Sequence, residues 1–184
     1  HIDLKTKEIK AIGRTLNIVR IGTSGSVQAD IPVDSFVISE KSIGCDGVLR
    51  FYANNESVCD HPFEEAFIRH CRWTPSAARP YVVNADPGLA DRLYDEEHTI
   101  KGRVLRLPLA MPGINDRITA FRYEGYKVTN YEMESAAITG LCNLLGHRAA
   151  TICLIIANRI NGDASADYHS YMNKLIRYTL EKLS

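Results

Sequence analysis

The sequence has no stretch approaching the roughly twenty apolar residues that a membrane-spanning helix needs, and no basic segment leads into an apolar one at its start, as in a secretory signal. It has no excess of charge of either sign: 22 Lys and Arg stand against 22 Asp and Glu. With no net field to gather a polyanion or an anionic lipid surface, neither nucleic acid nor membrane is an expected partner, and any anion must be held by local geometry. Cysteine is present without a pattern. Cys45, Cys59, Cys71, Cys142 and Cys153 are odd in number and widely spaced, with no Cys-x-x-Cys pair and no Cys/His spacing of a zinc site. They read as reduced thiols of a cytoplasmic protein. Cys153 in an apolar run and Cys142 on a half-buried helix are expected to be structural, and no metal is expected. His61, His70, His98, His147 and His169 pair with no Ser or Cys at a telling spacing, so none is nominated as a catalytic base. Internal repeats and low-complexity linkers are also missing.

What remains is 184 residues, 45% apolar and 24% charged, enough for one domain with a substantial core over residues 1–184. Leu16 to Gly22 is nearly continuous in β-rich apolar residues and breaks at Thr23-Ser24-Gly25-Ser26, so a buried strand should run into a tight polar loop. A second strand is expected over Ile31 to Ser39, with Pro32 at its start. Phe63, Ala66 and Phe67 recur at helical spacing behind Pro62, predicting a short helix to Cys71. Met133, Ala136, Ala137, Gly140, Leu141, Leu144 and Leu145 form the best helical stripe, ending at Gly146. Thr151 to Ala157 then reads as a strand buried on both faces, and Tyr171, Met172, Leu175, Ile176, Thr179, Leu180 and Leu183 as one face of a closing helix. Strand, helix and strand in this order predict a layered α/β architecture. Thr74 to Gly125 carries mixed signals.

Three places carry chemistry. Arg20 is an anomaly, because a guanidinium inside a β-rich apolar run is costly unless it reaches an anion or a carboxylate. With the Thr23 hydroxyl and the backbone N–H groups around Gly22 and Gly25 it makes a pocket for a phosphate-like anion. The alternative is a structural ion pair, with the glycines merely turning the chain. Glu132-Met133-Glu134 opens the best helix, where negative charge is favoured. On a helix the two carboxylates cannot share a face, which gives them distinct roles unless that segment is non-helical. A carboxylate suits a vicinal diol and a methionine suits the flat side of a sugar, while a plain polar helix start is the competing reading. Asn158-Arg159 ends the central strand, at the carboxyl edge where α/β sheets bind ligands.

Arg20-Ile21-Gly22-Thr23-Ser24-Gly25 and Asn130-Tyr131-Glu132-Met133-Glu134-Ser135-Ala136 together resemble the two signatures of the nucleoside phosphorylase-I family. Ser39-Glu40-Lys41-Ser42-Ile43-Gly44 and Ile155-Ile156-Ala157-Asn158-Arg159 are most similar to its uridine phosphorylase branch. The resemblance implies a three-layer α/β sandwich around a mixed, mostly parallel twisted sheet. It implies a homodimer or larger homo-oligomer with shared active sites, and phosphate-dependent cleavage of uridine to uracil and ribose-1-phosphate without a cofactor. Arg20 and Thr23 would hold phosphate, with Gly22 beside them. Met133 and Glu134 would contact ribose, and Glu132 would complete the sugar site. Purine-cleaving relatives carry an aspartate where Asn158 stands, and an amide cannot protonate a leaving purine. Uracil can leave as an anion, aided by Arg159 and Arg103. The alternatives are a purine nucleoside phosphorylase, a nucleosidase, or a non-catalytic nucleoside-binding paralogue.

Two family features have no counterpart. The N-terminal region, with its glycine-rich phosphate loop and a further arginine, is expected to be missing ahead of His1. The base-recognition stretch should lie near Ile100 to Leu107, where Lys101-Gly102-Arg103 runs directly into Val104-Leu105-Arg106, leaving Arg103 for its arginine. The expectation is that these pieces belong to the protein but not to this sequence, ahead of a paralogue without turnover.

Overall fold

A computed structural model describes residues 2–11, 13–105, 111 and 113–184, the side chains of 101–105 excepted. The first strand, β1 (Asn17–Ser26), is longer than its apolar run, because the polar residues Thr23 to Ser26 remain paired. β1 lies parallel to β8 (Arg148–Asn158) from Asn17↔Arg148 to Ser26↔Asn158, with a bulge between Ser24 and Gly25. β2 (Phe36–Gly44) starts five residues after Ile31, since Asp34 turns the chain with φ of 67°. Short elements occupy the stretch of mixed pattern: β3 (Tyr81–Asn84), α2 (Pro87–Leu93), β4 (Thr99–Leu105), α3 (Ile114–Ala120) and β5 (Arg122–Tyr123), with β6 (Tyr126–Lys127) just after it. β7 (Asn130–Tyr131) leads into α4 (Ser135–Leu144), and β9 (Asp163–Ala164) precedes α5 (Tyr168–Leu183). The helix read at Pro62 is α1 (His61–Cys71), capped by Asp60, whose carboxylate accepts the Phe63 N–H.

The main sheet runs β3-β2-β4-β7-β1-β8-β9. Its longest ladders, β1 with β8 and β2 with β4, are parallel, and shorter antiparallel ones complete a mixed sheet. Phe36 to Ser39 of β2 also pair antiparallel with β8, so the sheet curls back on itself. Helices cover both faces, giving three layers. Period-two alternation sends Ala150, Ile152 and Leu154 of β8 toward Leu89 and Leu93 of α2 and Leu175 of α5. In β3, Val82 packs with Phe63 and Phe67 of α1, whereas Tyr81 and Val83 pack with Ala136 of α4. The stripe read on α5 is only partly inward: Leu175 and Thr179 are buried, but Leu180 is exposed. No helix among the described residues is long and apolar enough to cross a membrane.

Candidate active site

The curl of the sheet brings the ends of β1 and β8 beside the segment between β7 and α4, where they line a cavity of about 520 Å³. That is room for a nucleoside-sized ligand. Arg20, Thr23, Ser24 and Gly25 come from β1, Tyr131, Glu132, Met133 and Glu134 from the second segment, and Ile156, Ala157 and Arg159 from the β8 end.

Arg20 alternates with Val19 and Ile21, which pack toward α2 and α5, so its side chain must leave on the opposite face. Two residues on, Gly22 makes room for it: a Cβ there would stand 2.4 Å from Nη1 of Arg20. The guanidinium is mostly buried and makes three contacts. Nη1 donates to the Cys153 Sγ at 3.3 Å and lies 3.2 Å from Oε2 of Glu132. Nη2 meets Oε2 of Glu134. Burial works against the positive charge, but Cys153, Glu132 and Glu134 outweigh it and raise the Arg20 pKa above its ordinary value. The Cys153 thiol is pushed up to about 12 by burial, against the pull of Arg20, and stays protonated.

Glu132 and Glu134 reach the same guanidinium because the segment is not yet helical; α4 starts only at Ser135. The Glu132 side chain is buried and accepts the backbone N–H groups of Glu134 at 2.9 Å and Ser135 at 2.8 Å. That of Glu134 is 48% exposed and faces the cavity, as does the exposed Met133. Arg159 lies across Tyr131, its guanidinium carbon 5.5 Å from the ring centroid, while its backbone N–H donates to the Ser26 carbonyl at 3.0 Å. Gly25 permits this approach, since a Cβ there would be 3.2 Å from Nε of Arg159.

Asn158 lies outside the cavity lining. Its amide nitrogen donates to the carbonyls of Gln28 and Ile31, and its oxygen accepts the N–H groups of Ile160 and Asn161, so the buried side chain holds two loops. The side chain of Arg103 is outside the described residues, as are Arg106 and Leu107; the Arg103 backbone pairs with Lys41 in the β2–β4 ladder. Tyr131 and Cys153 were missed by sequence reasoning. Tyr131 sits inside the second motif, whereas Cys153 is found only from the β1–β8 register, which sets it against Gly22. All five cysteines are free, and no cluster of metal-ligating side chains occurs among the described residues. A second cavity of about 490 Å³, between the β2 and β4 starts and α5, takes no residue from either motif.

An arginine held between two carboxylates, a threonine and an exposed methionine thus meet in one cavity. The phosphorylase superfamily model matches residues 6–179, and the chain belongs to that superfamily. Within it, the chain is similar to the uridine phosphorylase of Thermococcus kodakarensis, 27% identical over an alignment of 165 residues that covers 85% of this chain and 53% of that protein. A shorter stretch of 36 residues, 20% of this chain and 12% of the relative, is 53% identical to inactive uridine phosphorylase B of Schistosoma mansoni. Among solved structures, a Trypanosoma brucei nucleoside phosphorylase described as showing uridine phosphorylase activity superposes with a TM-score of 0.78 at 18% identity, over 98% of this chain and 71% of that one. The chain spans about half the length of the uridine phosphorylases that it matches over most of its own length.

Proposed function

We propose that the protein is a uridine phosphorylase: phosphate attacks the anomeric carbon of uridine as the base departs, yielding ribose-1-phosphate and uracil for pyrimidine salvage. The observation that carries this reading is Arg20 and Glu134 meeting in one cavity with Thr23. Arg20 and Thr23 hold phosphate and give up part of the Arg20–Glu134 contact to do so. The freed Glu134 carboxylate takes the ribose hydroxyls, and its charge favours the positive character that develops on the sugar. Met133 lies against the sugar. Arg159 stabilises the departing uracil anion, and Arg103 assists it. No cofactor enters, and phosphate is the co-substrate. Arg20→Ala is expected to abolish phosphate-dependent release of uracil and, because it leaves the buried Glu132 carboxylate without its cation, to lower the melting temperature without preventing folding. A variant that phosphorolyses uridine at the parent rate would sink the assignment.

The active assembly is proposed to be a homodimer or larger homo-oligomer with shared sites. Sedimentation of the full-length protein should give at least the dimer mass, and a monomer with full activity would contradict this. A second reading, a nucleoside-binding paralogue without turnover, is supported by the stretch similar to the inactive Schistosoma mansoni protein. It predicts uridine binding by calorimetry with no uracil released at any phosphate concentration.

A further inference from the structure

We propose that Glu132 does not touch the nucleoside but is a positioning residue, which together with the Cys153 thiol fixes the guanidinium of Arg20 against the start of α4. The proposal rests on the phosphorolytic reading above. Only 1% of the Glu132 side chain is exposed, against 48% for Glu134. Both of its oxygens are engaged: Oε1 accepts the Ser135 N–H at 2.8 Å, and Oε2 accepts the Glu134 N–H at 2.9 Å and lies 3.2 Å from Nη1 of Arg20. These N–H groups stand at the helix start, where no carbonyl of the preceding turn can serve them and where a negative charge is favoured. With its side chain 1% exposed and three donors already on its two oxygens, Glu132 offers a ribose hydroxyl little access.

The second seat is Cys153, whose Sγ is 3.3 Å from the same Nη1. Burial keeps this thiol neutral, so it accepts a hydrogen bond without cancelling the charge of Arg20. Nη1 is thus committed to the protein on two sides, and Nη2, which faces the half-exposed Glu134, is the arm left for phosphate. Glu132 and Cys153 therefore act on phosphate through Arg20, whereas Glu134 acts on the sugar directly. Fixing the fork in advance removes side-chain freedom that phosphate binding would otherwise have to overcome.

The test compares Glu132→Gln, Cys153→Val and Glu134→Gln in the full-length protein. Glu132→Gln should raise the KM for phosphate about tenfold or more, the usual effect of losing a hydrogen bond to a charged group, and leave the KM for uridine within about twofold. Glu134→Gln should show the opposite split. A Glu132→Gln enzyme with raised KM for uridine and unchanged KM for phosphate would make Glu132 a sugar ligand and overturn the proposal. If losing the α4 cap prevents that variant from folding, Cys153→Val carries the test. It leaves the cap intact and should show the phosphate-selective rise, and an unchanged KM for phosphate would overturn the proposal. If the parent protein shows no phosphorolysis, the functional reading fails separately, and phosphate Kd from calorimetry replaces KM. Weaker phosphate binding in the variants then supports the positioning role, equal binding overturns it, and a parent that binds no phosphate overturns both.

Discussion

Arg20 spends its fork on two carboxylates of opposite character, one buried and one half-exposed, and only the second is free to trade partners when a ligand arrives. Gly22 makes that arrangement possible. Gly22→Ala would place a methyl group 2.4 Å from Nη1 of Arg20, so the guanidinium must leave its seat on Glu132 and Cys153, and the buried Glu132 carboxylate loses its cation. We expect KM for phosphate to rise about tenfold or more and the melting temperature to fall; unaltered phosphate kinetics would show that Arg20 does not need this space. Arg20 was legible as an anomaly because a charge in an apolar strand has few resting places. Asn158 was legible as a polar residue at a strand end, but which way its amide faces depends on the loop at Gln28 to Ile31, 127 and more residues away in sequence. The meeting of Glu132 with Glu134 was hidden for a related reason: a helical reading separates them, and the delayed start of α4 unites them.

Among the elements, α1 shows how a helix end is tied to the sheet. Asp60 caps it and also takes the Lys41 ammonium at 2.6 Å, while the fully buried Glu64 in its first turn accepts the Val82 N–H at 3.1 Å. His61 donates to Glu64 from a position about half exposed, with Nδ1 to Oε2 at 3.1 Å, and this hydrogen bond raises its pKa above the ordinary 6.5. A raised folded-state pKa means a stabilising contribution fully present below the unfolded value of 6.5 and lost as pH rises through the folded value. Exposure screens the effect, so it should be modest. His61→Gln should therefore lower the melting temperature more at pH 5.5 than at pH 8.5, and an equal loss at both would remove the ion pair from the account. β1, β8, α1, α4 and α5 could be read in advance because their runs are long or strongly periodic. The four residues of β3 and the seven each of α2 and α3 are too short for a period to declare itself. The start of β2 was displaced by the turn at Asp34, a non-glycine residue with positive φ that no composition signal announces.

At the scale of the molecule, the parallel β1–β8 ladder and the return of β2 onto β8 bring together two motifs that lie far apart in sequence, as the Arg20–Glu134 contact at a separation of 114 records. The α/β layering followed from strand, helix and strand in order. The curl of the sheet did not, because strand pairing depends on long-range register that local patterns leave open. The match over residues 6–179 and the superposition on the Trypanosoma brucei enzyme fix the family and the fold. The most direct test of the chemistry is uracil release from uridine by the full-length protein, measured with and without inorganic phosphate. Uracil and ribose-1-phosphate should form in equal amounts only when phosphate is present. Uracil release at the same rate without phosphate would contradict phosphorolysis, and so would no release at all from a protein that binds both ligands.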